Sequence, residues 1–203
     1  MNDLTKRAII SYNKSMKKRA TYYHGSPIAN LRTLKPAISN HKKPLVYLSS
    51  KRENCLPYLA NAIEQFALEQ GIKCDHYQKW ASYGFNKEGK LVIQEYYPDA
   101  LRELYEGVSG YIYRAESVEL EALKDIPDAY VSAQELNIID YEYIEDAYRE
   151  IKKLAQEGKL KICRYDDIDK EYLENMIRKE FSESEEGLYK SFLKAKFSFL
   201  KEV

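Results

Sequence analysis

The chain has 203 residues, 44% of them hydrophobic, enough to build a substantial core and too many for global disorder. Its 32 basic and 32 acidic residues cancel, which argues against a protein held to nucleic acid by bulk electrostatics. The cysteines Cys55, Cys74 and Cys163 show no CxxC spacing, so neither a disulfide framework nor a structural zinc site is expected, and no metal is assigned to Cys74-Asp75-His76. No leader-type apolar region and no run of eighteen apolar residues occurs, so a soluble cytoplasmic protein without membrane partners is expected.

In chain order, Leu4, Ala8, Ile9, Tyr12 and Met16 recur near a 3.6-residue period and predict an amphipathic helix over 3–20. Thr21 to His24 is β-type and is broken at Ser26-Pro27. A loop-rich stretch with Leu31, Leu34 and Ile38 leads to a short buried strand over 45–48. Leu56, Leu59, Ala60, Ile63, Phe66 and Ala67 form one apolar face, predicting a single helix from Cys55 to Gln70 that ends at Gly71.

The segment 72–117 reads as β-rich. Strands are expected over 80–85, 90–96 and 110–114, with a hairpin turn at Asn86-Lys87-Glu88-Gly89 and a short helix over 98–105. Further strands are expected over 129–132 and 136–139. From Tyr141 the pattern turns helical and charged: a helix over 144–157, a β-like run over 160–163, and helices over 169–181 and 186–201, the last with Ser182 to Glu186 as its start. This order predicts an α+β chain: an N-terminal helix (1–20), a β-rich core (21–140) and a helical C-terminal extension (141–203) packed on the core.

Two short runs carry the chemistry. Tyr22-Tyr23-His24-Gly25-Ser26-Pro27 brings an imidazole beside a glycine at a strand end. About twenty residues on, Pro44-Leu45-Val46-Tyr47-Leu48-Ser49-Ser50 brings a phenol on a second strand. Either residue alone has an ordinary explanation: His24 as a satisfied strand-end histidine, Tyr47 as one core residue among nineteen tyrosines.

In this order and separation, the two runs resemble the ADP-ribosyltransferase superfamily, in the branch marked by a histidine, a tyrosine and a third acidic or polar residue. The resemblance covers about 22–65 and extends loosely to 140. It implies a split, mostly antiparallel sheet and a site for NAD, used as a substrate and without a metal. It implies that His24 bonds a hydroxyl of the adenosine ribose, that Gly25 lets the backbone approach the nicotinamide amide, and that Tyr47 stacks on the nicotinamide ring. Ser26 would lie in the same site, and Ser49 would line the nicotinamide ribose pocket. Arg32, between the two runs, either helps bind pyrophosphate or is a solvated surface arginine.

For the third residue the resemblance points to Ser132-Ala133-Gln134-Glu135-Leu136, with Glu135 the candidate and Gln134 the alternative. Cleaving the glycosidic bond of NAD builds positive charge on the ribose, which a nearby carboxylate stabilises. His24, Tyr47 and Glu135 should then converge within about 10 Å of one another. The implied activity is transfer of ADP-ribose to an acceptor (protein, nucleic acid or small molecule) with release of nicotinamide. The alternatives are an RNA 2′-phosphotransferase, which needs phosphate-gripping arginines not evident here, and a catalytically inactive binding module of the same fold.

Overall fold

The structure is a computed structural model and describes residues 20–38, 43–74, 80–117 and 120–201. Most of the expected N-terminal helix, and Asp75 and His76 of the cysteine–histidine cluster, lie outside these residues. The expected helix's last residue, Ala20, opens a strand.

The class is α+β. The strands are β1 (Ala20–Ser26), β2 (Thr33–Leu34), β3 (Ala37–Ile38), β4 (Pro44–Ser49), β5 (Tyr83–Phe85), β6 (Leu91–Gln94), β7 (Gly110–Ser117), β8 (Glu121–Ala122), β9 (Ala129–Ser132), β10 (Leu136–Ile144) and β11 (Lys161–Cys163). The α-helices are α1 (Ala62–Glu69), α2 (Ala100–Tyr105), α3 (Ala147–Gln156), α4 (Lys170–Glu183) and α5 (Leu188–Lys196). Three 3-10 helices, Arg52–Leu59, Tyr165–Asp167 and Ser198–Leu200, complete the set among the described residues.

The large sheet runs β2-β10-β7-β1-β4-β9-β8, with β3 also on β4. Its pairings are antiparallel. Alternation along β7 explains why it sits centrally: Tyr113 and Ala115 enter one core and Ile112 the other, so both faces are covered. The small sheet is β11-β6-β5, with β11 parallel to β6. Its hairpin forms as expected: Gly89 takes φ +73°, and the Asn86 side chain accepts from the Glu88 and Lys90 amides.

The larger core lies between one face of the large sheet, the small sheet and the helices. Leu56, Ile63, Leu101, Ile151 and Phe192 are each 2% exposed or less there, each side chain contributing about 1.5–3 kcal/mol of transfer free energy. The smaller core lies on the opposite face and gathers Leu34, Val46, Leu48, Tyr113 and Ala115. Residues 27–34 fold back across it: the Tyr113 hydroxyl donates to the Ile28 carbonyl at 2.7 Å.

Several local expectations change. The single helix over 55–70 is a 3-10 helix followed by α1, with Ala60 and Asn61 extended between them. Pro57 removes an amide donor from what would be the helix interior. Asn61 then caps α1, its side chain accepting from the Ile63 and Trp80 amides, each at 3.2 Å. Strand β10 runs to Ile144 rather than stopping at 139, so the expected core boundary at 140 falls inside it. The alternation of Asp140-Tyr141-Glu142-Tyr143-Ile144 has period two, and α3 begins only after the Asp146 cap, which accepts from the Arg149 amide at 2.9 Å. Ser182 to Glu186 does not start a helix. α4 continues through Glu183, and Ser184 closes it by donating to the Glu180 carbonyl at 2.6 Å.

Among the described residues, no helix is long and apolar enough to cross a membrane, and no group of three or more His, Cys, Asp or Glu is placed to hold a metal ion.

Candidate functional site

β1 and β4 pair at Tyr23 and Ser49. Continuing that register would set Gly25 opposite Tyr47, but the two strands part instead. One carbonyl of the missing rung has another partner. The His24 ring bonds the Tyr47 carbonyl through Nδ1 at 2.8 Å. Gly25 instead lies against Cys55 of the 3-10 helix. A carbonyl only accepts, so Nδ1 carries the proton and, in the neutral ring, Nε2 is the acceptor. His24 and Tyr47 are therefore joined at the point where the sheet splits, by ring to main chain rather than ring to ring.

The phenol of Tyr47 points away from that bond. Val46 and Leu48 enter the smaller core, so the alternation of β4 turns Tyr47 toward the 3-10 helix Arg52–Leu59. There it neighbours Tyr58, whose hydroxyl pairs with that of Tyr83 at 2.6 Å. Burial pushes the Tyr58 and Tyr83 phenols upward, so both stay neutral donors. Burial likewise pushes the Cys55 thiol up to about 12. That keeps it neutral near pH 7 and unsuited to act as a nucleophile.

The space beside Gly25 is filled by the chain itself. A β-carbon there would lie 2.2 Å from the Cys55 carbonyl oxygen, so this residue must be glycine for the 3-10 helix to lie against β1. Ser26 and Ser49 are buried and serve turns. Ser26 Oγ accepts from the Ile28 amide at 3.2 Å; Ser49 Oγ donates to the Asp128 carbonyl at 3.0 Å and accepts from the Lys51 amide at 3.1 Å. The side chain of Arg32 is exposed, and its carbonyl accepts from Ile138.

Glu135 does not join this group. It is exposed and precedes β10, while the neighbouring Gln134 is held in a local turn with Ser132. Across the sheet His24 stands opposite Tyr113, and Tyr113 opposite Tyr141. Glu135 lies six positions before Tyr141 in sequence, roughly 20 Å along an extended chain.

A different carboxylate occupies the neighbouring row. Gly25 pairs with Ile112 and Ile112 with Glu142, putting Glu142 two strands, about 10 Å, from Gly25. Its side chain faces the 3-10 helix, where Arg52 grips both its oxygens: Nε to Oε2 at 2.7 Å and Nη2 to Oε1 at 2.6 Å. The third guanidinium nitrogen, Nη1, holds Glu150 of α3 at 2.8 Å. The hydrogen bonds from Arg52 hold the Glu142 carboxyl below its ordinary range, so it stays ionised.

Two cavities flank the 3-10 helix. One, of about 150 Å³, is walled by Pro27, Tyr58, Leu59 and Val108. The other, of about 260 Å³, lies among Lys51, Asn54, Lys90 and Lys159. Asn54 Oδ1 is buried and has no hydrogen-bond partner among the described residues.

Tyr58, Arg52 and Glu142 are the residues that sequence reasoning missed. Tyr58 was hidden among nineteen tyrosines. Arg52 reads as an ordinary surface charge. The period-two alternation around Glu142 is the signal the sequence carries, and the helical pattern that follows it masks it.

The arrangement defines an α+β protein whose sheet splits beside a histidine, with a tyrosine cluster and an arginine-bound carboxylate on one face. No protein-family model matches the chain, and no curated protein or solved structure matches it either.

Proposed function

We propose that the chain binds NAD at the split between β1 and β4 and transfers its ADP-ribose to an acceptor, releasing nicotinamide. The observation that carries this reading is the 2.8 Å bond from His24 to the Tyr47 carbonyl where the strands part. It orients Nε2 as an acceptor for a ribose hydroxyl. Tyr47 and Tyr58 supply aromatic surface for the nicotinamide ring, and Gly25 serves by admitting the helix that carries Tyr58.

Glu142, rather than Glu135, is the acid in this reading, because the sheet register puts it in the row of Gly25, on the face toward which Tyr47 turns. The bond from the ribose anomeric carbon to the nicotinamide nitrogen breaks, with its electron pair leaving on nicotinamide. The ionised Glu142 stabilises the positive charge that develops on the ribose. The acceptor's oxygen or nitrogen then bonds the anomeric carbon, and its proton passes to Glu142 or to solvent.

A rise in melting temperature with millimolar NAD, lost in His24→Ala and Tyr47→Ala, together with nicotinamide release, is the expected result. No shift with NAD overturns the reading. A shift without nicotinamide release favours the inactive binding module. That second reading draws on one observation: both oxygens of Glu142 already accept from Arg52.

A further inference from the structure

We infer that Arg52 is the positioning residue of this site, fixing the plane of the Glu142 carboxylate while Glu150 holds the same guanidinium from α3. The inference rests on the reading of Glu142 as the acid. Three elements meet in the contact. Arg52 opens the 3-10 helix three residues after β4 ends, Glu142 lies within β10, and Glu150 lies in the first turn of α3. A planar fork with both carboxylate oxygens at 2.6 and 2.7 Å fixes rotation as well as position, which a lysine's point charge does not. The arginine side chain is 23% exposed, so water competes little for it.

Charge balance gives Glu150 a role. An isolated Arg52–Glu142 pair would cancel and leave little field for a developing ribose cation. With Glu150 also on Arg52, one cation serves two carboxylates, and a net negative charge remains. The other charges nearby do little to remove it. Lys153 stands 3.8 Å from Glu150 with a 63% exposed side chain. Arg114 is engaged by Asp140. Each Glu142 oxygen keeps a second lone pair for a substrate hydroxyl. The lowered Glu142 carboxyl agrees with this arrangement, with Arg52 its largest cause and Lys153 and Arg114 contributing less.

The test follows the Glu142 carboxyl by carbon-13 titration in the full chain, alongside the pH profile of nicotinamide release. It uses wild type, Arg52→Lys, Arg52→Gln and Glu150→Gln. In Arg52→Gln the midpoint should rise by about one pH unit, with the acid limb of the rate profile following it. Arg52→Lys should restore most of the midpoint but leave release about tenfold slow, because the charge returns without the fork. Glu150→Gln should lower the midpoint further and slow release. An unmoved midpoint in Arg52→Gln overturns the inference. So does full recovery of rate in Arg52→Lys. If wild type releases no nicotinamide while the midpoint still moves, the proposed function falls and the hold of Arg52 on Glu142 stands.

Discussion

The carbonyl oxygen of Cys55 lies 2.2 Å from where a β-carbon on Gly25 would sit. The carbonyl belongs to the main chain and the backbone fixes the position of a β-carbon, so no side-chain rotation relieves the contact. The tightest approach of the 3-10 helix to the sheet therefore depends on one missing methyl group.

Gly25→Ala should accordingly cost about 2–4 kcal/mol, since something in the backbone must move. Urea denaturation measures it. A loss under 1 kcal/mol would mean that the 3-10 helix can lift from β1 without penalty.

Glu142→Gln should slow nicotinamide release by about 10²–10³-fold, the usual scale for removing one electrostatic stabiliser of a transition state. Glu135→Gln should leave it unchanged. The opposite pattern would move the chemistry to the bend between β9 and β10.

Stability should depend on pH through the same carboxylate. Its folded value lies below the ordinary 4.5, with hydrogen bonding from Arg52 the largest cause. Its contribution is therefore complete above that ordinary value and is lost as pH falls through the folded one. Arg52→Ala should cost about 1–2 kcal/mol at pH 7, discounted because Glu142 is half exposed, and the difference from wild type should shrink as the pH drops below 4.5. A difference independent of pH, in denaturation series from pH 7 to 3, would show that packing and not charge accounts for the cost.

A second arginine–glutamate pair holds the small sheet. Glu95 is 4% exposed and meets Arg164 Nη1 at 3.0 Å. Arg164→Ala leaves a buried carboxylate without its cation and should cost about 3 kcal/mol. Glu95→Leu added to Arg164→Ala should recover part of that loss. A double variant less stable than the single one would contradict this.

How much was legible before the fold was known differs from segment to segment. Ala129–Ser132 is a strand with the bounds expected, because its β-branched and aromatic residues lie between turn signals. The Asn86–Gly89 hairpin also forms, since its turn chemistry is local. The helix over 55–70 misled because its apolar spacing spans two elements. Leu56, Leu59, Ile63 and Phe66 are all buried, yet Pro57 and the extended Ala60-Asn61 pair divide them. The full length of β10 is not legible locally because its outer residues are exposed charges and tyrosines rather than an apolar run.

The sequence by itself determined the α+β class, the placement of His24 and Tyr47 on separate strands, and the apolar residues that fill the larger core. These depend on periodicity and turn chemistry, which act over a few residues. Only the tertiary structure decided which carboxylate shares a sheet row with Gly25. Sheet register sets that choice, and the β1-β7-β10 pairing links residues more than a hundred positions apart. A carboxylate carries no local mark of the strand it will face, so the different surroundings of Glu135 and Glu142 arise only once β10 is laid against β7.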